Sequence, residues 1–360
     1  MEITEADLAA CENADSFLQS SMWASFKEKF GWTAKAFLAD WLEDGTNEKT
    51  PLLVLCRQLA PGFSFAYIPW GPKLPASITA SDRVKIAAEL GKKLRALLAR
   101  NTVFIRFEPP WFYREKESGI ENEASLFKTF GFKRAAAAVQ PPDTVIINLE
   151  KTNNEILMQM KPKWRYNISL AEKKGIIVKT CTGREIETFY NLLKETAARD
   201  GISIHGINYY RTLFEICNND MTGGNNKTGM MQLKLYIASH ESDTLAAIAV
   251  LFRGKDAVYL YGASSNIKRN LMAPYALQWK AMQDAKEAGC LFYDLFGIPP
   301  NEDPNHPMAG LFRFKTGFGG HIIHRPGSWD YPCKKVFYNL FRIAEGLRKK
   351  IMNYKKKNRR

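Results

Sequence analysis

Three sets of residues have the types and spacing to do chemistry. The first lies in Gly310-Leu-Phe-Arg-Phe-Lys-Thr-Gly-Phe-Gly-Gly320, where Lys315 stands among aromatic, cationic and glycine residues that a plain core strand does not need. The second is a pair of carboxylates, Glu108 and Asp294, each closing an apolar run. A buried carboxylate so placed can take or relay a proton, and Glu108 could equally be an ion-pair partner of Arg106 or of another neighbour. The third is the cluster Lys161, Lys163, Arg165, Lys173 and Lys174, which suits RNA phosphates and, as readily, a solvated helix face. Lys315 itself reads either as a functional cation or as a surface lysine between two core aromatics.

Bulk properties narrow the classes. A chain of 360 residues favours two domains with a core each. The net charge is +14, and from Lys334 to Arg360 there are 11 Lys/Arg against the single Glu345. Such a basic tail suits nucleic acid or an anionic membrane surface, or serves solubility alone. The six cysteines form no C-x-x-C pair, and His306, His321 and His324 have no matching acidic or thiolate spacing, so neither a disulfide framework nor a metal is expected. The Gly/Asn-rich stretch Asn219 to Gly229 reads as a loop and lacks the order of a phosphate-binding P-loop. The acidic N-terminus has no signal-peptide pattern, and no apolar run reaches the roughly 18 residues of a membrane span. A cytoplasmic protein is the expectation.

The elements that must position these residues follow from periodicity. A helix is expected over 13–30, a hairpin from Ala34–Trp41 and Pro51–Arg57 around Asp44-Gly45, and a strand at Phe63–Gly71. Ser81 is a candidate N-cap for a helix over 82–100, before a strand at Thr102–Glu108 and a short helix near Ala124–Phe130. The pattern restarts with a strand at Asp143–Leu149, a Thr152-capped helix broken at Pro162, a strand at Ile176–Thr180, and helices at Arg184–Ala198 and around Tyr209, Tyr210 and Leu213. Strands at Met231–Ala238, Leu245–Phe252 and Ala257–Gly262, a helix to Lys286 and a strand at Cys290–Phe296 complete it. Phe104-Ile-Arg-Phe-Glu-Pro-Pro110 before Phe127-Lys-Thr129 is echoed by Phe292-Tyr-Asp-Leu-Phe-Gly-Ile-Pro-Pro300 before Phe314-Lys-Thr316, which points to duplication of one α/β unit. The interface between two copies is a common place for a ligand cleft. The expected boundaries are 1–142, 143–330, and a basic amphipathic C-terminal segment over 331–360 that packs back on the first domain.

The ordered set Lys161-x-Lys-x-Arg-x-Asn-Ile-x-x-Ala-x-x-Lys-Gly175, Tyr261-Gly-Ala-Ser264, Ala273-Pro-Tyr-x-x-Gln-Trp279, Tyr293-Asp-x-x-Gly297 and Phe314-Lys-x-x-Phe318 resembles the FemABX family of aminoacyl-tRNA-dependent peptidoglycan-bridge transferases. Weaker likeness lies in Gln19-Ser20, Trp23, Lys27, Gly71-Pro72 and Arg106-Phe107-Glu108. The resemblance implies two tandem GNAT-like α/β domains with mixed sheets, here without the coiled-coil arm of the glycyl-adding members. It implies transfer of an amino acid from aminoacyl-tRNA, with no cofactor, to a stem-peptide amine of a UDP-linked or lipid-linked precursor. It places Phe314 and Lys315 at the tRNA acceptor end, Lys27 at the precursor's diphosphate, and Tyr209 and Tyr261 along the acceptor groove. It matches Glu108 to a carboxylate once considered a base, with Asp294 its counterpart in the second half. His205 stands where armless members carry an arginine, and a histidine is a weaker phosphate clamp. An acyl-CoA enzyme would need a Gln/Arg-x-x-Gly-x-Gly/Ala loop, and no convincing copy is found. A peripheral hold on anionic membrane by the tail and a monomeric state complete the expectation. The rivals are a non-catalytic RNA- or membrane-binding protein on a degenerate scaffold, and an N-acyltransferase with another donor.

Overall fold

The computed structural model describes residues 1–40, 49–75, 77–114, 120–181, 183–219 and 231–357. The expected Asp44-Gly45 turn, and the Asn219–Gly229 loop from residue 220 on, lie outside them. The chain divides into two compact units, Met1–Pro142 with His324–Arg360, and Asp143–Ile323.

The first unit begins with β1 (Glu2–Ala6), α1 (Ser21–Glu28), β2 (Thr33–Asp40), β3 (Thr50–Ala60), β4 (Phe63–Pro69), α2 (Ala80–Leu97), β5 (Thr102–Glu108), β6 (Tyr113–Arg114), α3 (Ile120–Thr129) and β7 (Lys133–Arg134). Strands β1 to β4 pair antiparallel, and β5 joins β4 in parallel after the α2 crossover. The helix expected over 13–30 is instead a short 3-10 turn, Phe17–Gln19, followed by α1. The hydroxyls of Ser16 and Ser20 each accept a backbone N–H, from Leu18 and Trp23, and restart the chain at each point. Thr79, not Ser81, caps α2: its hydroxyl accepts the Asp82 N–H at 3.2 Å, and Ser81 falls inside the first turn.

The second unit contains β8 (Asp143–Asn148), α4 (Asn153–Gln159), α5 (Pro162–Lys173), β9 (Ile177–Cys181), α6 (Ile186–Asp200), α7 (Ile207–Asn219), β10 (Gln232–His240), β11 (Asp243–Arg253), β12 (Asp256–Ser264), α8 (Ala273–Glu287), β13 (Phe292–Asp294), α9 (Ala309–Thr316) and β14 (His321–His324). Thr152 forms a capping box with Glu155, and Pro162 opens α5 at the expected break. The strands run in the order β14-β8-β13-β12-β11-β10-β9. As in the first unit, an antiparallel run (β10-β11-β12) is followed by a helix and a parallel strand, β13. The strand expected over Cys290–Phe296 is cut to three residues because the backbone turns at Phe296, whose φ is +55°.

The chain then supplies β15 (Trp329–Pro332) and α10 (Lys335–Lys357) to the first unit. β15 sits between β5 and β7, so the return to the first unit comes near residue 324, ahead of the 331 that periodicity suggested. Four residues are too few to show a strand pattern. Register places Asp330 opposite Arg106. The Arg106 guanidinium donates to both carboxylate oxygens, at 2.7 and 3.0 Å, and the Tyr338 hydroxyl of α10 donates to the same group at 3.0 Å. Asp330 is fully buried. Removing one partner of a buried pair strands the other charge, so Asp330→Ala is expected to cost about 3–5 kcal/mol in urea unfolding; a loss below about 1 kcal/mol would refute this role.

Candidate active site in the second unit

The last turn of α9 carries Phe314 and Lys315. Lys315 is 6% exposed. Its Nζ donates to the carbonyls of Phe296, at 2.7 Å, and Gly297, at 3.0 Å, and lies 5.0 Å from the centre of the Tyr259 ring. Burial lowers its pKa to about 7, with Asp294 pulling weakly the other way. Asp294 spends its hydrogen bonds elsewhere: Oδ1 accepts from the Phe296 N–H at 2.7 Å and from the Thr144 hydroxyl. The carboxylate fixes the turn whose carbonyls hold the lysine. Two bonds to carbonyls use two of an ammonium's three hydrogens.

Phe314 belongs to an aromatic platform. It meets Tyr275 and Phe318 edge-on, and its carbonyl accepts the indole N–H of Trp164 at 2.9 Å. Trp164 presses on Gly317 so closely that a Cβ there would lie 2.1 Å from the indole. This contact joins α9 to α5, which carries the cationic cluster. Lys161, Lys163, Lys173 and Lys174 are exposed on it. Arg165 is committed to the end of α4, donating to the Met160 carbonyl at 2.6 Å.

A second group lies on the other face of the sheet. Val250 pairs with Tyr259 and Ala249 with Tyr261, so Leu260 is an extra residue, a bulge in β12. Val250 belongs to the core cluster with Leu277 and Ala281 of α8, and Tyr259 packs on that side. Tyr261 consequently faces α7, where it meets Tyr210 edge-on at 5.1 Å and hydrogen-bonds Tyr209. His205 is exposed and stacks on Tyr209, with ring centres 3.9 Å apart. Burial raises the pKa of both Tyr209 and Tyr261, which keeps their hydroxyls protonated at neutral pH.

Lys27 and Glu108 belong to the first unit. Lys27 Nζ lies over Trp32 and Trp23, at 5.3 and 5.5 Å from the ring centres, and burial with the neighbouring Arg57 lowers its pKa to about 8. Trp32 also contacts Tyr67, whose hydroxyl donates to Glu108. Glu108 further accepts from Ser328 Oγ and from the N–H groups of Val139, at 2.5 Å, and Gln140, at 3.1 Å. Arg106 pairs with Asp330, so of the partners that the sequence allowed Glu108, Arg106 is taken by another carboxylate. Burial raises the Glu108 pKa against these four donors. Its geometry is that of a clamp holding the 139–140 segment and Ser328 to the end of β5.

Among the described residues, no three His, Cys, Asp or Glu side chains converge as a metal would require. Tyr259, Trp164 and Tyr275 were not among the candidate site residues, although Tyr275 lies within the Ala273–Trp279 pattern. Glycines signalled two of the three: Gly317 beneath Trp164, and Gly262, where a Cβ would collide with the Tyr259 hydroxyl.

Two α/β units with the same order of antiparallel strands, crossover helix and parallel strand define a tandem GNAT-like protein. A tandem GNAT protein from the clavulanic acid pathway matches with a TM-score of 0.51 at 12% identity, over 92% of this chain and 99% of that one. The crystal structure of FemX matches with a TM-score of 0.75 at 21% identity, over 94% of this chain and 99% of that one. The chain belongs to the FemAB family, whose model matches residues 7–222 and 217–346. Its relatives include proteins named lipid II:glycine glycyltransferase: one from Staphylococcus saprophyticus, 24% identical over 94% of this chain and 92% of its own length, and one from Staphylococcus haemolyticus, 23% identical over 93% and 92%. Among the described residues, no helix of the second unit exceeds 15 residues, so none has the length of a coiled-coil arm.

The depressed amine has a thermodynamic signature. Between about pH 7 and the ordinary 10.5 the unfolded chain binds the proton that folded Lys315 has released. Stability relative to Lys315→Met should therefore rise with pH through that window, by at most about 1.4 kcal/mol per pH unit. Urea titrations of both proteins across the window test this; a constant difference would exclude a depressed amine.

Proposed function

We propose that the protein transfers an amino acid from aminoacyl-tRNA to an amine on the stem peptide of a lipid-linked peptidoglycan precursor. The observation that carries the reading is Lys315: a buried amine held by two carbonyls, beside the aromatic platform that the exposed cations of α5 adjoin. The relatives' names support the choice of acceptor.

The neutral acceptor amine attacks the ester carbonyl of the aminoacyl-tRNA, forming a C–N bond. The protonated Lys315 donates to the developing oxyanion. Collapse breaks the ester C–O bond, and the tRNA hydroxyl leaves with the proton that the amine gives up. The ester is already activated, so the reaction calls for no cofactor. Phe314 and its aromatic neighbours support the acceptor end of the tRNA, with Lys161 and Lys163 on its phosphates. Tyr209 and Tyr261, with His205, contact the acceptor; within the first unit, Lys27 is a cation suited to a diphosphate.

A transfer assay with radiolabelled aminoacyl-tRNAs and lipid-linked or UDP-linked precursor tests the reading, and no label in either precursor would overturn it. Lys315→Met should lower kcat by roughly a hundredfold or more with precursor binding retained. Lys27→Met should chiefly raise the KM for precursor.

The pH profile gives a separate check. An acceptor amine with a pKa near about 10.4 makes the rate climb with pH, while loss of the Lys315 proton near 7 offsets the climb. Log kcat/KM should therefore level off above about pH 7 in the native protein and continue upward in the residual activity of Lys315→Met. A continued climb in both would remove Lys315 from the oxyanion.

A further inference from the structure

Helix α10 has two apolar faces, and the first unit accounts for one. Tyr338 is buried against Asp330, Phe341 packs on Phe104 at 4.9 Å, and Phe337 meets Phe63 at 4.7 Å. Arg342 donates to the Arg134 carbonyl from the same side. The opposite side carries Val336, Leu340, Ile343, Leu347 and Ile351, each more than half exposed, from 56 to 70%. Spacings of four, three, four and four residues align them in one narrow stripe. At 3.6 residues per turn the stripe lies diametrically away from Tyr338 and Glu345. Isolated exposed aliphatics are ordinary on a protein surface, but an aligned row of five marks a contact.

The charge around the stripe selects the occupant. Lys335, Arg348 and Lys350 are exposed, with Lys350 at one edge of the stripe and Arg348 about 60° beyond the other. The segment from Lys334 onward has 11 Lys/Arg and one Glu. A second copy pairing along this stripe would bring two strongly basic helices together. RNA would find phosphate contacts but no use for five aliphatic side chains, since the stripe has no aromatic ring to stack on a base. An anionic bilayer meets both demands: acyl chains take the stripe, and headgroup phosphates take the flanking cations. No helix among the described residues is long and apolar enough to cross a membrane, so α10 would lie in the interface.

We propose that α10 is a membrane-surface helix that holds the protein on anionic lipid through the Val336–Ile351 stripe. The inference concerns binding and stands apart from the transfer reaction. The test is flotation of the full chain with vesicles of phosphatidylcholine alone or mixed with phosphatidylglycerol. Binding should favour the anionic vesicles and weaken with salt. Leu340→Ser with Leu347→Ser leaves the charge unchanged and should reduce binding by roughly tenfold or more. These side chains are exposed, so Tm should hold. Arg348→Gln with Lys350→Gln should lessen the preference for anionic lipid. Absence of vesicle binding would overturn the proposal, as would binding that the leucine pair does not affect. So would a dimer in light scattering, or tRNA binding, that the leucine pair abolishes without changing flotation.

Discussion

The desolvation of one ammonium group organises the second unit. A lysine withdrawn from water usually acquires a carboxylate partner, which would hold it charged well above neutrality. Lys315 receives two carbonyl oxygens instead, while Asp294 binds Thr144 and the Phe296 N–H. The amine is solvated by dipoles, and burial lowers its pKa to about 7. Holding those carbonyls in place requires the abrupt end of β13, the left-handed backbone at Phe296, and α9 arriving with its last turn over Tyr259.

Much of this architecture was legible from periodicity. Thr102–Glu108 was read as a strand to the residue, and the Pro162 break and Thr152 cap were visible because each rests on local chemistry. Elements specified by distant partners were not. Trp329–Pro332 is a strand because β5 and β7 flank it, a fact that no window of four residues contains. Lys315 was conspicuous by its aromatic company, yet its burial depended on where α9 docks. Trp164 was hidden because its role is set by the Phe314 carbonyl, 150 positions away in the chain, and by Gly317.

The internal echo teaches a sharper lesson. Phe127-Lys-Thr129 and Phe314-Lys-Thr316 both close a helix, α3 and α9, in equivalent places of the two units. In the first, Phe127 is fully buried and Lys128 is exposed; in the second, Phe314 is half-buried and Lys315 is buried. The tripeptide persists, but the helix presents a different side to its sheet. Identity of sequence at this level marks common architecture and leaves chemistry to the rotation of the helix.

Leu260 has a consequence for how such a protein can change. Without the extra residue, Tyr259 and Tyr261 would share one side of β12 and be packed by the same neighbours. With it, the tyrosine beneath the amine and the tyrosine facing α7 occupy separate environments although they are two residues apart. Substitutions at His205, Tyr209 or Tyr261 can accumulate without repacking the floor under Lys315. One inserted backbone unit thereby lets the α7 side of the strand drift through descent while the buried lysine stays sheltered from that drift.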